Sequence, residues 1–108
     1  MSKVYIVSRH ASTVEVLREL FKDSNTEVIV RDHINDINEI ECGSIVVGNM
    51  PIELISQLKN NKNCTVFIVS LNIPRELRGK ELSKEELLKY MKIYEVTKIK
   101  LTEYIFTF

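Results

Sequence analysis

Ser8, Arg9 and His10 occupy consecutive positions directly after the apolar run Val4-Tyr5-Ile6-Val7. A hydroxyl, a permanent cation and an imidazole that titrates near ~6.5 form a set suited to a phosphate ester, whose oxygens must be held and whose protons must be moved. A second polar cluster, Arg75 followed by Arg78-Gly79-Lys80-Glu81-Leu82-Ser83, comes after the run Val66-Phe67-Ile68-Val69. Arginine offers a phosphate two parallel donors, and Gly79 lets the chain turn sharply. Glu81 can pair with one of the cations. If folding brings the two clusters together, their common chemistry is that of RNA-like phosphodiesters.

Other polar residues follow apolar runs in the same way, each with a plainer alternative. His33 suits a general acid or base, or a donor to phosphate, and equally a turn residue. Gly48 can let a ligand approach the backbone while Asn49 reads a base or ribose; a turn before a proline-started helix explains the same letters. Ser70 and Asn72 carry the same ambiguity.

Positioning these residues requires strands whose ends share an edge. Val4–Val7, Val28–Val30, Ile45–Val47 and Val66–Val69 are short, β-branched and nearly continuous, as expected for parallel strands covered on both faces. Val14, Leu17, Leu20 and Phe21 recur at helical spacing behind a capping box at Ser12-Thr13-Val14-Glu15. Pro51 suits the first position of a helix with the stripe Leu54, Ile55 and Leu58. Ser83-Lys84-Glu85-Glu86 opens a third helix with Leu87, Met91 and Tyr94 on one face. The segment Asp32 to Ser44 is less regular, with one helical turn expected around Ile37 and Ile40. From Val96 to Phe108 the pattern alternates, with Ile99 and Leu101 followed by Tyr104, Phe106 and Phe108, which predicts an edge strand or hairpin. Completing the core is the first reading of that tail, and a subunit interface the second.

The resulting order is a doubly wound α/β fold with a mainly parallel sheet, strand order 2-1-3-4 and the tail at one edge. In such sheets ligands bind outside the carboxyl ends of the strands. Both histidines and the arginine cluster are thereby expected on one edge of a single domain spanning 1–108, the right length for one core.

Composition narrows the ligand. Fifteen basic and fifteen acidic residues give a net charge of zero, which argues against duplex DNA or an anionic membrane surface and for a local cluster. Cys42 and Cys64 have neither C-x-x-C spacing nor a nearby histidine pair, so reduced free thiols and no metal are expected. No cofactor is predicted: the sequence holds no G-x-x-x-x-G-K-[ST] and no G-x-G-x-x-G, and it also lacks a G-x-S-x-G elbow. Without a basic leader or a long apolar run, a cytoplasmic location is expected.

Taken in order, Ser8-Arg9-His10, His33-Ile34-Asn35, Gly48-Asn49-Met50-Pro51-Ile52, Leu71-Asn72-Ile73-Pro74 and Arg78-Gly79-Lys80-Glu81-Leu82-Ser83 resemble the small CRISPR-associated proteins of the sixteenth Csx family. The likeness runs from Val4 to about Tyr94. Its most specific parts are S-R-H after the first strand and R-G-x-E-L-S before the last helix. The chain departs from the family's H-L-D at residues 33–35, from its G-D at Gly43-Ser44, and from its G-T-L-P at residues 48–51.

The resemblance implies a Rossmann-like domain similar to the CARF domains that bind cyclic oligoadenylate in type III CRISPR systems. It implies a homodimeric ring nuclease that cleaves cyclic tetra-adenylate without a metal, ending the antiviral signal. The ribose 2′-hydroxyl would attack its own 3′-phosphate and leave a 2′,3′-cyclic phosphate. Arg9 and Arg78 would steady the phosphoryl oxygens, and His10, or else His33, would serve as general acid or base. Ser8, Asn49 and Ser70 would position the ring; Lys80 would neutralise the pentavalent state, and Arg75 would be a further phosphate contact. The alternative from another class is a sensor or sponge that binds the ring without cutting it.

Overall fold

The computed structural model describes residues 2–107. Its β-branched runs form β1 (Ser2–Val7), β2 (Thr26–Arg31), β3 (Ile45–Gly48) and β4 (Thr65–Leu71), joined by a fifth strand, β5 (Met91–Glu95). The sheet order is β2-β1-β3-β4-β5. The first four strands are mutually parallel and β5 runs antiparallel to β4. Three helices complete the chain: α1 (Ala11–Phe21), α2 (Ile52–Asn60) and α3 (Lys84–Tyr90). The architecture is α/β, with a mixed, mostly parallel five-stranded sheet. Among the described residues no helix is long and apolar enough to cross a membrane.

Alternation along β1 divides the core. Tyr5 and Val7 join Val46, Val66, Ile40 and the α2 residues Ile55 and Leu58 on one face. Val4 and Ile6 join Val47, Val69 and Leu17 of α1 on the other. Because helices cover both faces, every residue from Val4 to Val7 is buried, which is why the run reads as continuous rather than alternating.

The helical turn expected around Ile37 and Ile40 is a 3₁₀ turn at Ile37–Glu39, capped by the Asp36 carboxylate accepting from the Asn38 N–H. The capping box at Ser83 is present in full. Ser83 Oγ accepts from the Glu86 N–H at 3.2 Å, and the Glu86 carboxylate accepts from the Ser83 N–H at 3.1 Å.

The box expected at Ser12 is not formed. His10 is the cap residue of α1 and gives it no side-chain bond, so Ser12 already lies inside the first turn. The cause is the tight exit from β1: Ser8 Oγ accepts from the His10 N–H and the His10 carbonyl accepts from Val14, which starts the helix two residues earlier. The buried face of α1 is consequently Thr13, Val16 and Leu17, and Leu20 is 55% exposed.

Met91 and Tyr94 belong to a strand and not to the third helix. Helix α3 has seven residues, about 10 Å of rise, and begins at the carboxyl edge of the sheet. That is too short to carry the chain back to the amino edge for a parallel strand, so β5 starts opposite Leu71 and runs downward. Met91 and Ile93 face the core while Lys92 and Tyr94 are exposed.

The edge strand is thus Met91–Glu95, earlier than the sequence pattern predicts, and residues 96–107 form no strand or hairpin. Instead the chain crosses to the α2 face: Val96 N–H donates to Val66, Asn60 Nδ2 donates to the Ile99 carbonyl, and Val96 and Ile99 pack on the core. Tyr104, Ile105 and Phe106 are exposed, while Phe108 lies outside the described residues. This extended tail explains a radius of gyration of 15.4 Å, against about 13 Å for a compact chain of this length.

Candidate functional site

The reversal of connection between β1 and β3 leaves a crevice at their carboxyl ends, and the polar residues of three strand exits gather there. A cleft of about 350 Å³ is lined by Ser8, Arg9 and His10 after β1, Asp32 and His33 after β2, and Asn49 and Pro51 after β3. Among the described residues, the side chains of Arg9, His10, Asp32, His33 and Asn49 have no hydrogen-bond or ion-pair partner. All five residues are solvent-exposed.

Ser8 differs from them. It is 5% exposed, and its hydroxyl accepts from the His10 N–H at 3.2 Å while its own N–H donates to Arg31 at 3.0 Å. Ser8 therefore ties β1 to β2 and sets the turn that presents Arg9 and His10, with its hydroxyl proton left to donate. Gly48 is buried with φ near +143°, and a Cβ there would collide with the Val7 carbonyl. The backbone that approaches Gly48 is thus that of Val7, whose oxygen also accepts from the Asn49 N–H at 3.0 Å. This contact fixes Asn49 over the end of β1.

The second cluster divides. Lys80 and Glu81 border a smaller cavity of about 230 Å³ in which His10 again forms part of the wall, so His10 stands between the two spaces. Arg75, Arg78, Gly79, Ser70 and Asn72 line neither. Arg75 begins a 3₁₀ turn, Arg75–Leu77, and Arg78 Nε donates to the Ile73 carbonyl at 3.4 Å. Gly79 has φ near +81°, the conformation its loop requires. Ser70 lies within β4 opposite Lys92, and the Asn72 N–H donates to Tyr90.

Asp32 was not among the residues singled out from sequence, although it directly follows β2 and precedes His33. Its carboxylate shares the cleft with both imidazoles, where it can orient a protonated ring. Among the described residues no three His, Cys, Asp or Glu side chains cluster as a metal-binding group. Cys42 and Cys64 are free thiols, and burial pushes the Cys64 thiol above its ordinary range. A larger cavity of about 730 Å³ lies between α2 and the tail, and none of the candidate residues lines it.

The fold and cleft define an α/β chain with cationic, imidazole and amide side chains around one polar crevice at its strand ends. Residues 5–100 match the family described as "Putative CRISPR-associated protein (Cas_VVA1548)", and the chain belongs to that CRISPR-associated family. Neither a comparison with curated proteins nor one with solved structures gave a match.

Proposed function

We propose that this CRISPR-associated chain is a ring nuclease that binds cyclic tetra-adenylate in the cleft and cleaves it without a metal. The observation that carries the reading is the convergence of Ser8, Arg9, His10, His33 and Asn49 on one crevice, with the side chains of all but Ser8 left without a partner among the described residues. CRISPR association supplies the biological setting, and the order β2-β1-β3-β4 with helices on both faces supports a Rossmann-like, doubly wound domain of the CARF kind.

In this reading a base in the cleft takes the proton of a ribose 2′-hydroxyl as the oxygen attacks the adjacent 3′-phosphorus. The bond from phosphorus to the 5′-oxygen breaks, a general acid returns a proton to that oxygen, and a 2′,3′-cyclic phosphate remains. His10 and His33 are the two imidazoles available for these transfers, with His10 the first choice as general base. Arg9 bears the phosphoryl charge, Asn49 holds the ribose or base, and Asp32 orients an imidazolium. Lys80 approaches from the neighbouring cavity. Arg78 and Arg75 would reach the ring only from its periphery, a lesser role than the sequence pattern suggests.

A homodimer completes the proposal, because a two-fold axis matches a four-fold ring and lets each protomer meet two phosphates. The exposed side chains of Tyr104, Ile105 and Phe106 are the local support for an interface.

The test is to incubate the protein with radiolabelled cyclic tetra-adenylate in excess EDTA. The expected products are linear adenylates ending in a 2′,3′-cyclic phosphate, and Arg9→Ala and His10→Ala should abolish them. Tight binding without product would favour the sponge, and full turnover by both variants would remove the site.

A further inference from the structure

Resting on the nucleotide reading above, we infer that the cavity behind His10 is the subsite for one adenine base of the same ligand. Its walls are the apolar side chains Leu71 and Ile73 at the end of β4, Leu82 of the following loop and Leu87 of α3. Leu71 and Leu87 are continuous with the core, and His10, Ser12, Thr13, Lys80 and Glu81 supply the polar part of the lining.

Three features select a base over other occupants. The cavity of about 230 Å³ falls below the ~300–1,000 Å³ typical of drug-sized ligands, a size suited to a single flat ring system. It shares a wall, His10, with the cleft where the phosphate is proposed to sit, and a base and its phosphate must occupy adjoining spaces. Four apolar side chains beside the donors and acceptors of His10, Ser12, Lys80 and Glu81 match a heterocycle that stacks through its faces and bonds through its edge.

The cavity also gives the loop a purpose that its arginines do not. Residues 80–82 border the cavity, and the loop is held at both ends. At one end Lys80 N–H donates to Leu77; at the other, the Ser83 capping box and the ion pair of Lys84 with Glu19 fasten α3 to α1. Leu82 is half-buried at the cavity wall and can pack on a base face.

The experiment fills the cavity from two of its lining positions with Ile73→Trp and Leu82→Trp, and measures binding of cyclic tetra-adenylate by calorimetry beside the wild type and Arg9→Ala. Circular dichroism and thermal melting confirm that each variant is folded, and two walls are used so that failure of one leaves the other. The expected result is a loss of at least roughly tenfold in affinity for either folded tryptophan variant, as exclusion of a buried ring demands. Wild-type affinity in a folded tryptophan variant, with binding still lost in Arg9→Ala, overturns the base subsite and leaves the phosphate cleft standing. Absence of binding by the wild type overturns both.

Discussion

At the amino ends of the strands, Tyr5 donates to the Glu39 carbonyl and accepts from the Glu41 N–H, Ser44 donates to Glu41, and Lys62 Nζ donates to Ile40. Lys3 pairs with Glu41 at 2.8 Å. At the carboxyl ends of the same sheet, Arg9, His10, Asp32, His33 and Asn49 surround a cleft with no such partners among the described residues. Similar residue types are spent on internal bonds at one edge and presented to solvent at the other. Polar groups bonded within the chain stabilise the fold, whereas groups left to water are those a ligand can engage with little structural loss.

Substitution at the two edges should therefore have opposite consequences. His10→Ala is expected to lower cleavage of cyclic tetra-adenylate by roughly 10²–10⁴-fold, the usual scale of general acid or base catalysis, with an unchanged melting temperature. Ser44→Ala is expected to leave turnover intact and to lower stability by about 0.5–1.5 kcal/mol through the lost bond to Glu41. Parallel turnover assays and denaturant titrations measure both, and an exchange of the two outcomes breaks the comparison.

Gly48 joins the edges, because it lets β3 lie against Val7 where the cleft begins. Gly48→Ala places a Cβ against the Val7 carbonyl at a positive φ, and should destabilise the fold by more than ~1 kcal/mol. Turnover should fall with it, since the Val7 carbonyl that is displaced also holds Asn49. A folded, fully active Gly48→Ala protein would show that the backbone contact is slack.

The four parallel strands were legible because residues covered on both faces form continuous β-branched runs, and strand exits follow directly from where those runs stop. That placed Ser8, Arg9, His10, His33 and Asn49 on one edge. The sequence was ambiguous at Leu87, Met91 and Tyr94, whose spacing fits a helix while Met91 and Ile93 also alternate as a strand does. The free edge of β4 resolves it, through pairing that no local pattern contains. The tail's alternation likewise carried no information about a partner strand. Asp32 was legible as a strand exit on the ligand edge, beside His33, but its place in the cleft wall was not, because an acidic residue at a strand exit reads equally as a solvated turn residue.

The arginine loop sharpens the comparison further, since it is polar, at the carboxyl edge, and yet set back from the cleft. Arg9→Ala should weaken cyclic tetra-adenylate binding more than Arg78→Ala, whose guanidinium already donates to Ile73; the expected loss at Arg78 is under about tenfold, within the range of one charge-assisted hydrogen bond. Calorimetric titration of the two variants ranks them. A larger loss at Arg78 would mean that the loop folds inward onto the ring.

The smallest expected effect lies at the amino edge and concerns pH. The Lys3 ammonium bonded to Glu41 holds that carboxyl below its ordinary value of 4.5, and Glu41 in turn raises Lys3 above its ordinary 10.5. A carboxyl lowered in the folded state stabilises fully above its ordinary value and loses that contribution as pH falls through the folded one. A raised lysine stabilises fully below its ordinary value and loses its contribution as pH rises through the folded one. The pair thus acts between these limits, and both side chains are solvent-accessible, so salt screens it. Glu41→Gln should melt slightly below the wild type at pH 7 in low salt, and the gap should close both as pH falls through the lowered carboxyl value and in high salt. A gap that persists at low pH would show that the difference between the two proteins does not come from the charge of the Glu41 carboxylate.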